Sequence, residues 1–287
     1  MKKILKLLSF MVMLIFLASC EKNVVDFPAE KITDETPQFQ LFYMVPLATG
    51  SANAINKVEL NGQLLANETS PLNTFNLIPG GAVGKFFSTE PGTSNLKLYR
   101  GNVENMTLVY DRDIEIPAGK NSLFIHDFSE PPVIIPYPTP LPSITTERTG
   151  TTAWIRFINL MYEAEGEPTD LTLQYQWQYT TDNETGDKSE WFDLGEPVAF
   201  GEFTGWEPVT VNKTVEISAG TARIDYRVRL IGADGSDQGS LQIRNSSGNQ
   251  VDYSDWWNAQ IGRMYNHVFA GYRNATPGVN IRLSTAH

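Results

Sequence analysis

From residue 38 onward the chain is a succession of short stretches in which apolar and polar residues alternate, with little helical periodicity between them. The clearest is residues 171–179, LTLQYQWQY, where every odd position is apolar or aromatic and every even one is Thr or Gln. A period of two is the signature of a strand with one buried face. Residues 223–230 alternate again and predict Ile224, Tyr226, Val228 and Leu230 on the core side. Residues 38–43, 57–60, 95–99, 107–110, 114–116, 122–125 and 153–160 carry the same strand character. Asn61-Gly62 stands between two such stretches and predicts a two-residue hairpin turn. Many short strands broken by Gly, Asn and Pro predict an all-β chain of sandwich type.

Residues 131–142, PPVIIPYPTPLP, place six prolines in twelve positions. Proline lacks the backbone N–H and fixes φ, so this stretch is neither helix nor central strand, and it predicts a domain boundary. The expected organisation is a first β-sandwich over 38–130, a Pro-rich linker over 131–150 and a larger second sandwich over 151–287. A faint repeat favours two related modules. Ile114-Glu115-Ile116-Pro117-Ala118-Gly119 is echoed by Val215-Glu216-Ile217-Ser218-Ala219-Gly220, and Gln260-Ile261-Gly262-Arg263-Met264-Tyr265 has a similar form. Strand, small residue, glycine, strand is also a local way to turn a sandwich edge, so convergence is an alternative source of the echo, which still favours two related modules over one continuous domain.

Ile155-Arg156-Phe157-Ile158-Asn159-Leu160 resembles the opening strand of immunoglobulin-like modules in Bacteroidota cell-envelope lipoproteins, a family of unknown function. Val58-Glu59-Leu60-Asn61-Gly62 fits the second element of such a module. Pro117-Ala118-Gly119-Lys120 and Ile261-Gly262-Arg263-Met264-Tyr265 look like its closing element in each half. The resemblance covers about residues 38–128 and 152–273, and the second half departs from it by insertions at 182–188 and 246–257. It implies two immunoglobulin-like β-sandwich modules in tandem at a cell envelope, and it carries no chemistry with it.

The N-terminus reads as an address. Lys2, Lys3 and Lys6 precede an apolar run over 7–18 that is too short for a permanent membrane-spanning helix. The run ends in Leu17-Ala18-Ser19-Cys20, which resembles a bacterial lipobox. That resemblance implies a lipoprotein signal peptide over 1–19 and lipidation of Cys20, the only thiol in the chain. Several acyl chains on one residue anchor a protein to a membrane without spanning it. Residues 20–37 are then the lipidated Cys and a polar tether with a reach of roughly 20–25 Å. The expected location is the outer membrane, at the cell surface.

Charge narrows the partners. Loss of residues 1–19 leaves 19 basic against 33 acidic residues, a formal charge of −14. Such a chain repels phosphate backbones, which excludes nucleic acid as a natural partner. One Cys and three scattered His (His126, His267 and His287) cannot build a disulfide framework or a Cys/His zinc site. There is no HExxH helix and no G-x-S-x-G elbow. Gly80-Gly81-Ala82-Val83-Gly84-Lys85 is one residue short of a P-loop, with Phe86 where Ser or Thr would hold Mg²⁺. The acidic turns Asp182/Glu184/Asp187 and Asp234/Ser236/Asp237 lack the EF-hand order and read as solvated hairpin turns. The expectation is a non-enzymatic protein without a cofactor.

Tryptophan is the informative residue, because Trp154, Trp177, Trp191, Trp206, Trp256 and Trp257 all follow the Pro-rich stretch. Trp177 reads as core, and Trp154 as packing between sheets or domains. Trp206 stands in a Gly/Pro-flanked loop. Trp256 and Trp257 follow Tyr253-Ser254-Asp255, and adjacent strand residues cannot both point inward, so one of the pair is exposed. Aromatic rings stack on the apolar face of a sugar while neighbouring amides and carboxylates bond its hydroxyls. Trp206, Tyr253, Asp255, Trp256 and Trp257 are therefore the candidate ligand-binding residues. The competing reading is a satellite core beneath the inserted loops. Two functions stay open on these residues. One is binding of a glycan or host polymer. The other is a structural or adhesive role, pilus-associated or accessory to an outer-membrane complex, through contacts with an envelope protein.

Overall fold

The computed structural model describes residues 32–80, 84–145 and 150–286. The expected signal peptide, the expected lipidation site Cys20 and the first part of the expected tether lie outside the described residues. The first half of the chain contributes β1 (Pro37–Tyr43), β2 (Ile55–Leu60), β3 (Gln63–Ala66), β4 (Leu77–Ile78), β5 (Phe87–Ser88), β6 (Thr93–Arg100), β7 (Thr107–Glu115), β8 (Gly119–Ile125) and β9 (Val133–Pro136). The second half contributes β10 (Thr152–Ala164), β11 (Glu167–Pro168), β12 (Thr172–Tyr179), β13 (Phe192–Asp193), β14 (Glu207–Thr210), β15 (Thr221–Ile231) and β16 (Asp237–Ser240). It continues with β17 (Gln242–Arg244), β18 (Gln250–Asp252), β19 (Ser254–Gln260), β20 (Met264–Tyr272) and β21 (Asn280–Thr285). The protein is all-β, and each half packs one sheet on another.

The first half pairs a sheet ordered β4-β1-β8-β9 with one ordered β3-β2-β6-β7, and the second pairs β11-β10-β20-β21 with β13-β12-β15-β16, β19 joining the latter through β15. In both halves the opening strand runs parallel to the closing one. Pro37 to Tyr43 lie beside Gly119 to Ile125, and Trp154 to Tyr162 beside Met264 to Tyr272. The segments Pro117–Gly119 and Ile261–Arg263 turn the chain into these two closing strands, so two phrases of the sequence echo occupy equivalent places. The third, residues 215–220, leads instead into β15.

Alternation accounts for the two sandwich cores. Phe39, Leu41 and Tyr43 of β1 meet Val58, Leu96, Leu98 and Tyr110 of the opposite sheet. Ile155 and Phe157 of β10 meet Tyr175, Trp177, Ile224, Tyr226 and Val228. Asn61 at φ 52° and Gly62 at φ 80° make the β2–β3 turn, both in the left-handed region that the tight hairpin requires.

A one-faced strand does not account for β10, where every residue from Ala153 to Tyr162 is buried. A third apolar layer does. Phe42, Met44, Phe124 and Ile135 on the back of the β1 sheet meet Ile158, Leu160, Val268 and Ala270 on the back of the β10 sheet. The four sheets are stacked, with the β1 and β10 sheets innermost and those of β2 and β12 outermost. The Pro-rich segment is built into this seam. Its residues Val133–Pro136 pair with β8 at the sheet edge, where no further ladder is asked of the prolines, and Tyr137 is buried against Trp154 and Met264.

The seam also holds a charge. Arg156 of β10 is fully buried, and its hydrogen-bond partners are all neutral. It donates from Nε and Nη2 to Asn266 Oδ1 at 3.0 and 2.8 Å, from Nη2 to Ser122 Oγ at 3.1 Å and from Nη1 to the Pro136 carbonyl at 3.3 Å. Its guanidinium lies 4.6 Å from the Trp206 ring centroid and 5.0 Å from that of Tyr137. Ser122 in turn donates to the Tyr137 hydroxyl, which donates to Gln40 Oε1. Burial lowers the pKa of Arg156 to about 10, which leaves it charged at neutral pH. Farther along the seam, His126 Nδ1 and the Tyr162 hydroxyl are 2.8 Å apart.

The second core contains a neutral base. His267 is fully buried among Tyr175, Tyr226 and Trp257, with Nδ1 at 2.9 Å from the Tyr175 hydroxyl. Burial drives its pKa down to about 3.

Two outcomes follow. Arg156→Ala leaves Asn266 and Ser122 without their donor in a dry seam, and chemical denaturation is expected to show a loss of about 3–5 kcal/mol. For His267, the unfolded chain takes up a proton below pH 6.5 that the folded chain refuses until about pH 3. Its contribution is complete above pH 6.5 and is lost as pH falls, by about 1.4 kcal/mol per unit. Between pH 7 and pH 5 the wild type should therefore lose about 2 kcal/mol more unfolding free energy than His267→Gln.

Candidate functional site

The outer face of the β12-β15-β19 sheet carries the exposed Trp256 and the half-buried Trp191. On β12 the even residues Gln176 and Gln178 face outward, because Tyr175 and Trp177 face the core. Gln178 is opposite Asp225, and Asp225 is opposite Trp256 on β19. Phe192 is opposite Trp177 and turns inward with it, so Trp191, one residue before, turns outward. One transverse row thus reads Trp191, Gln178, Asp225, Trp256, with the aromatic rings at its ends. Three interstrand steps separate those ends, roughly 14 Å.

The row floors a cleft of about 290 Å³. Trp256 is 48% exposed, with the Arg223 guanidinium 4.7 Å from its ring centroid. Trp191 carries the Arg227 guanidinium at 4.2 Å. Both cations are held in place. Arg223 bonds Asp225 Oδ1 through Nη2 at 2.6 Å and Nε at 2.8 Å, and Lys188 bonds the other oxygen of the same carboxylate. Arg227 Nε donates to Gln176 Oε1 at 2.8 Å, and Gln176 Nε2 donates to Asp193 Oδ1 at 2.7 Å. Partial burial, followed by repulsion from Arg229, lowers the Arg227 pKa. At the lip of the cleft, burial pushes the Tyr226 hydroxyl far up, and Tyr253 and Asp255 are its hydrogen-bonding neighbours. The result is a surface of flat apolar rings between fixed hydrogen-bonding groups, with cations and carboxylates in balance.

The five residues singled out from sequence separate into three places. Asp255 and Trp256 line the cleft together. Tyr253 and Trp257 belong to the core, at 5% and 7% exposure, which leaves them no face for a ligand. Tyr253 donates its hydroxyl proton to Asn280 Oδ1 at 2.6 Å. Trp206 is half-buried at the seam, stacked on Tyr137 at 5.9 Å and on Arg156. Trp154 is buried at the same seam, and Trp177 packs on Phe192 in the core. Sequence reasoning passed over Trp191. Its signal was the rule applied to Trp256-Trp257: Trp191-Phe192 is also an adjacent aromatic pair on a strand, one in and one out.

The acidic turns spend their carboxylates locally. Asp182 Oδ1 accepts the N–H groups of Glu184 and Thr185, Asp234 Oδ1 accepts from Ser236, and Asp237 pairs with Arg229. The described residues contain no group of three or more His, Cys, Asp or Glu placed to hold a metal ion. Compared with known families and with curated proteins, the chain matches none.

The placement of the tandem pair predicts opposite outcomes for two neighbouring substitutions. Trp257→Ala empties a core site and should lower stability by about 3–5 kcal/mol. Trp256→Ala should stay within about 0.5 kcal/mol of the parent in the same denaturant titration.

Proposed function

We propose that this protein is a non-enzymatic, lipid-anchored outer-membrane protein of the bacterial cell surface that binds glycan on the outer face of its second β-sandwich. The observation that carries the reading is the transverse row Trp191, Gln178, Asp225, Trp256, with flat rings at both ends and hydrogen-bonding groups between them. A pyranose offers an apolar C–H face and a rim of hydroxyls, and this row offers ring faces and a rim of amide, carboxylate and guanidinium in the same alternation. The aligned cations are restrained by Asp225 and Gln176, so little side-chain freedom is lost on binding. The lipobox-like segment ending at Cys20 and the resemblance to Bacteroidota immunoglobulin-like lipoproteins supply the location. The alternative, a structural role through strand pairing with an envelope protein, is disfavoured at β7. That edge strand carries Asp111, Arg112 and Asp113 in succession, and charges of this kind block added strands.

The test is a binding screen of residues 21–287 against plant, host and microbial polysaccharides beside the Trp191→Ala/Trp256→Ala double variant. Binding of at least one polysaccharide is expected, weakened about tenfold or more in a variant whose thermal unfolding is unchanged. No binding across the panel, or equal binding by the variant, would shift the assignment to the protein-contact role.

A further inference from the structure

A second cleft, of about 660 Å³, opens between the β17–β18 hairpin and the β20–β21 connection, and shares no lining residue with the Trp191–Trp256 face. Its size is that of a small-ligand pocket. Its polar side chains are Arg244, Asn245, Ser246, Thr276, Asn280 and Arg282, and none of its lining residues is acidic, although the chain contains 33 acids.

The hydrogen bonding of the lining leaves mainly donors free. Asn245 Oδ1 accepts the N–H groups of Ser247 and Asn249 at 3.0 and 2.9 Å. Asn280 Oδ1 accepts the N–H of Ile281 at 2.8 Å and the Tyr253 hydroxyl at 2.6 Å. Backbone N–H groups only donate, so these contacts fix both carboxamides with Oδ1 occupied and Nδ2 free. Arg282 lies with its guanidinium 3.7 Å from the Phe75 ring centroid and spends Nη2 on the Gly278 carbonyl at 3.1 Å. Its Nε is buried and without a hydrogen-bond partner. Phe75 comes from the first half of the chain and has φ 61°, a conformation uncommon for a bulky side chain. Neither Arg244 nor Arg282 forms an ion pair among the described residues.

We propose that this cleft binds an acidic saccharide unit, a uronate or a sulfated sugar. Two guanidiniums and two carboxamide N–H₂ groups meet the oxyanion, and the Ser246 and Thr276 hydroxyls meet the sugar ring. The Arg244 guanidinium and the two carboxamide N–H₂ groups line the cleft with no carboxylate among their lining neighbours, and an oxyanion supplies the acceptor. Arginine is the residue suited to this, because its planar fork matches a carboxylate or sulfate edge. The site stands independently of the tryptophan face.

Calorimetric titration of residues 21–287 at low ionic strength tests it, with glucuronate, glucose 6-sulfate, glucose and inorganic sulfate as probes. Glucuronate and glucose 6-sulfate are expected to bind, sulfate alone more weakly, and glucose not at all. Arg244→Gln and Arg282→Gln should each weaken binding of the acidic sugars about tenfold or more. Lys97→Gln, which removes a charge in the first half of the chain and outside both clefts, should leave that binding unchanged. Arg244 belongs to the hairpin and bonds nothing in the seam, so its variant remains informative if Arg282→Gln, deprived of the Phe75 stack, unfolds. Equal binding of glucose and glucuronate, equal binding of sulfate and the acidic sugars, indifference to Arg244→Gln, or no binding of either acidic sugar at millimolar concentration would each overturn the proposal.

Discussion

A guanidinium without a counter-charge lies in the seam between two sandwiches, and the docking of the halves depends on how that charge is satisfied. Desolvating Arg156 is unfavourable, and the protein offsets it with neutral oxygens and ring faces drawn from separate strands. Ser122 comes from β8, the Pro136 carbonyl from β9, Asn266 from β20 and Trp206 from the loop before β14. An apolar patch such as Phe42, Phe124, Ile158 and Val268 tolerates sliding, since the hydrophobic effect has no direction. The hydrogen bonds of Arg156 do not. They close only when both inner sheets sit in one register, so the charge selects a geometry that the surrounding apolar contacts stabilise.

The tryptophans divide by layer. Trp177 and Trp257 fill the second core, Trp154 and Trp206 line the seam, and Trp191 and Trp256 occupy the outer face. Position in the four-sheet stack assigns each pair its work, and residue type does not. The outer pair differs from the others in what flanks it. Arg223, held by Asp225, lies over the Trp256 ring, and Arg227, held by Gln176, lies over the Trp191 ring.

Strands with one wet face were readable from the chain alone. Residues 171–179 and 223–230 alternate because one side meets water, and the structure places their apolar positions in the core as that pattern predicts. The tandem-aromatic rule likewise separated Trp256 from Trp257 in principle, though not which ring was outside. What alternation cannot express is a strand with two dry faces. In residues 153–160 Arg156 occupies the same side as Trp154, and its acceptors lie 34 and 110 residues away in sequence, beyond any local pattern. The loop setting of Trp206 and the polar setting of Tyr253 were equally uninformative, because burial there is decided by the opposing surface. In the Pro-rich segment, Val133, Ile134 and Ile135 carried the signal of an edge strand within a stretch otherwise marked by its prolines.

The parallel pairing of each half's opening strand with one far along the chain bears on how the chain reaches its fold. Asn121 of β8 bonds the Gln38 carbonyl of β1 across 83 residues, and Arg156 waits 110 residues for Asn266. Contact order is therefore high, and folding belongs to the slow class in which loop closure precedes any reward from pairing. Neither inner sheet is complete until its closing strand arrives, so the apolar backs that form the seam stay uncovered through most of that time. Through that interval the charge on Arg156 keeps one of those backs wet until its true partner docks.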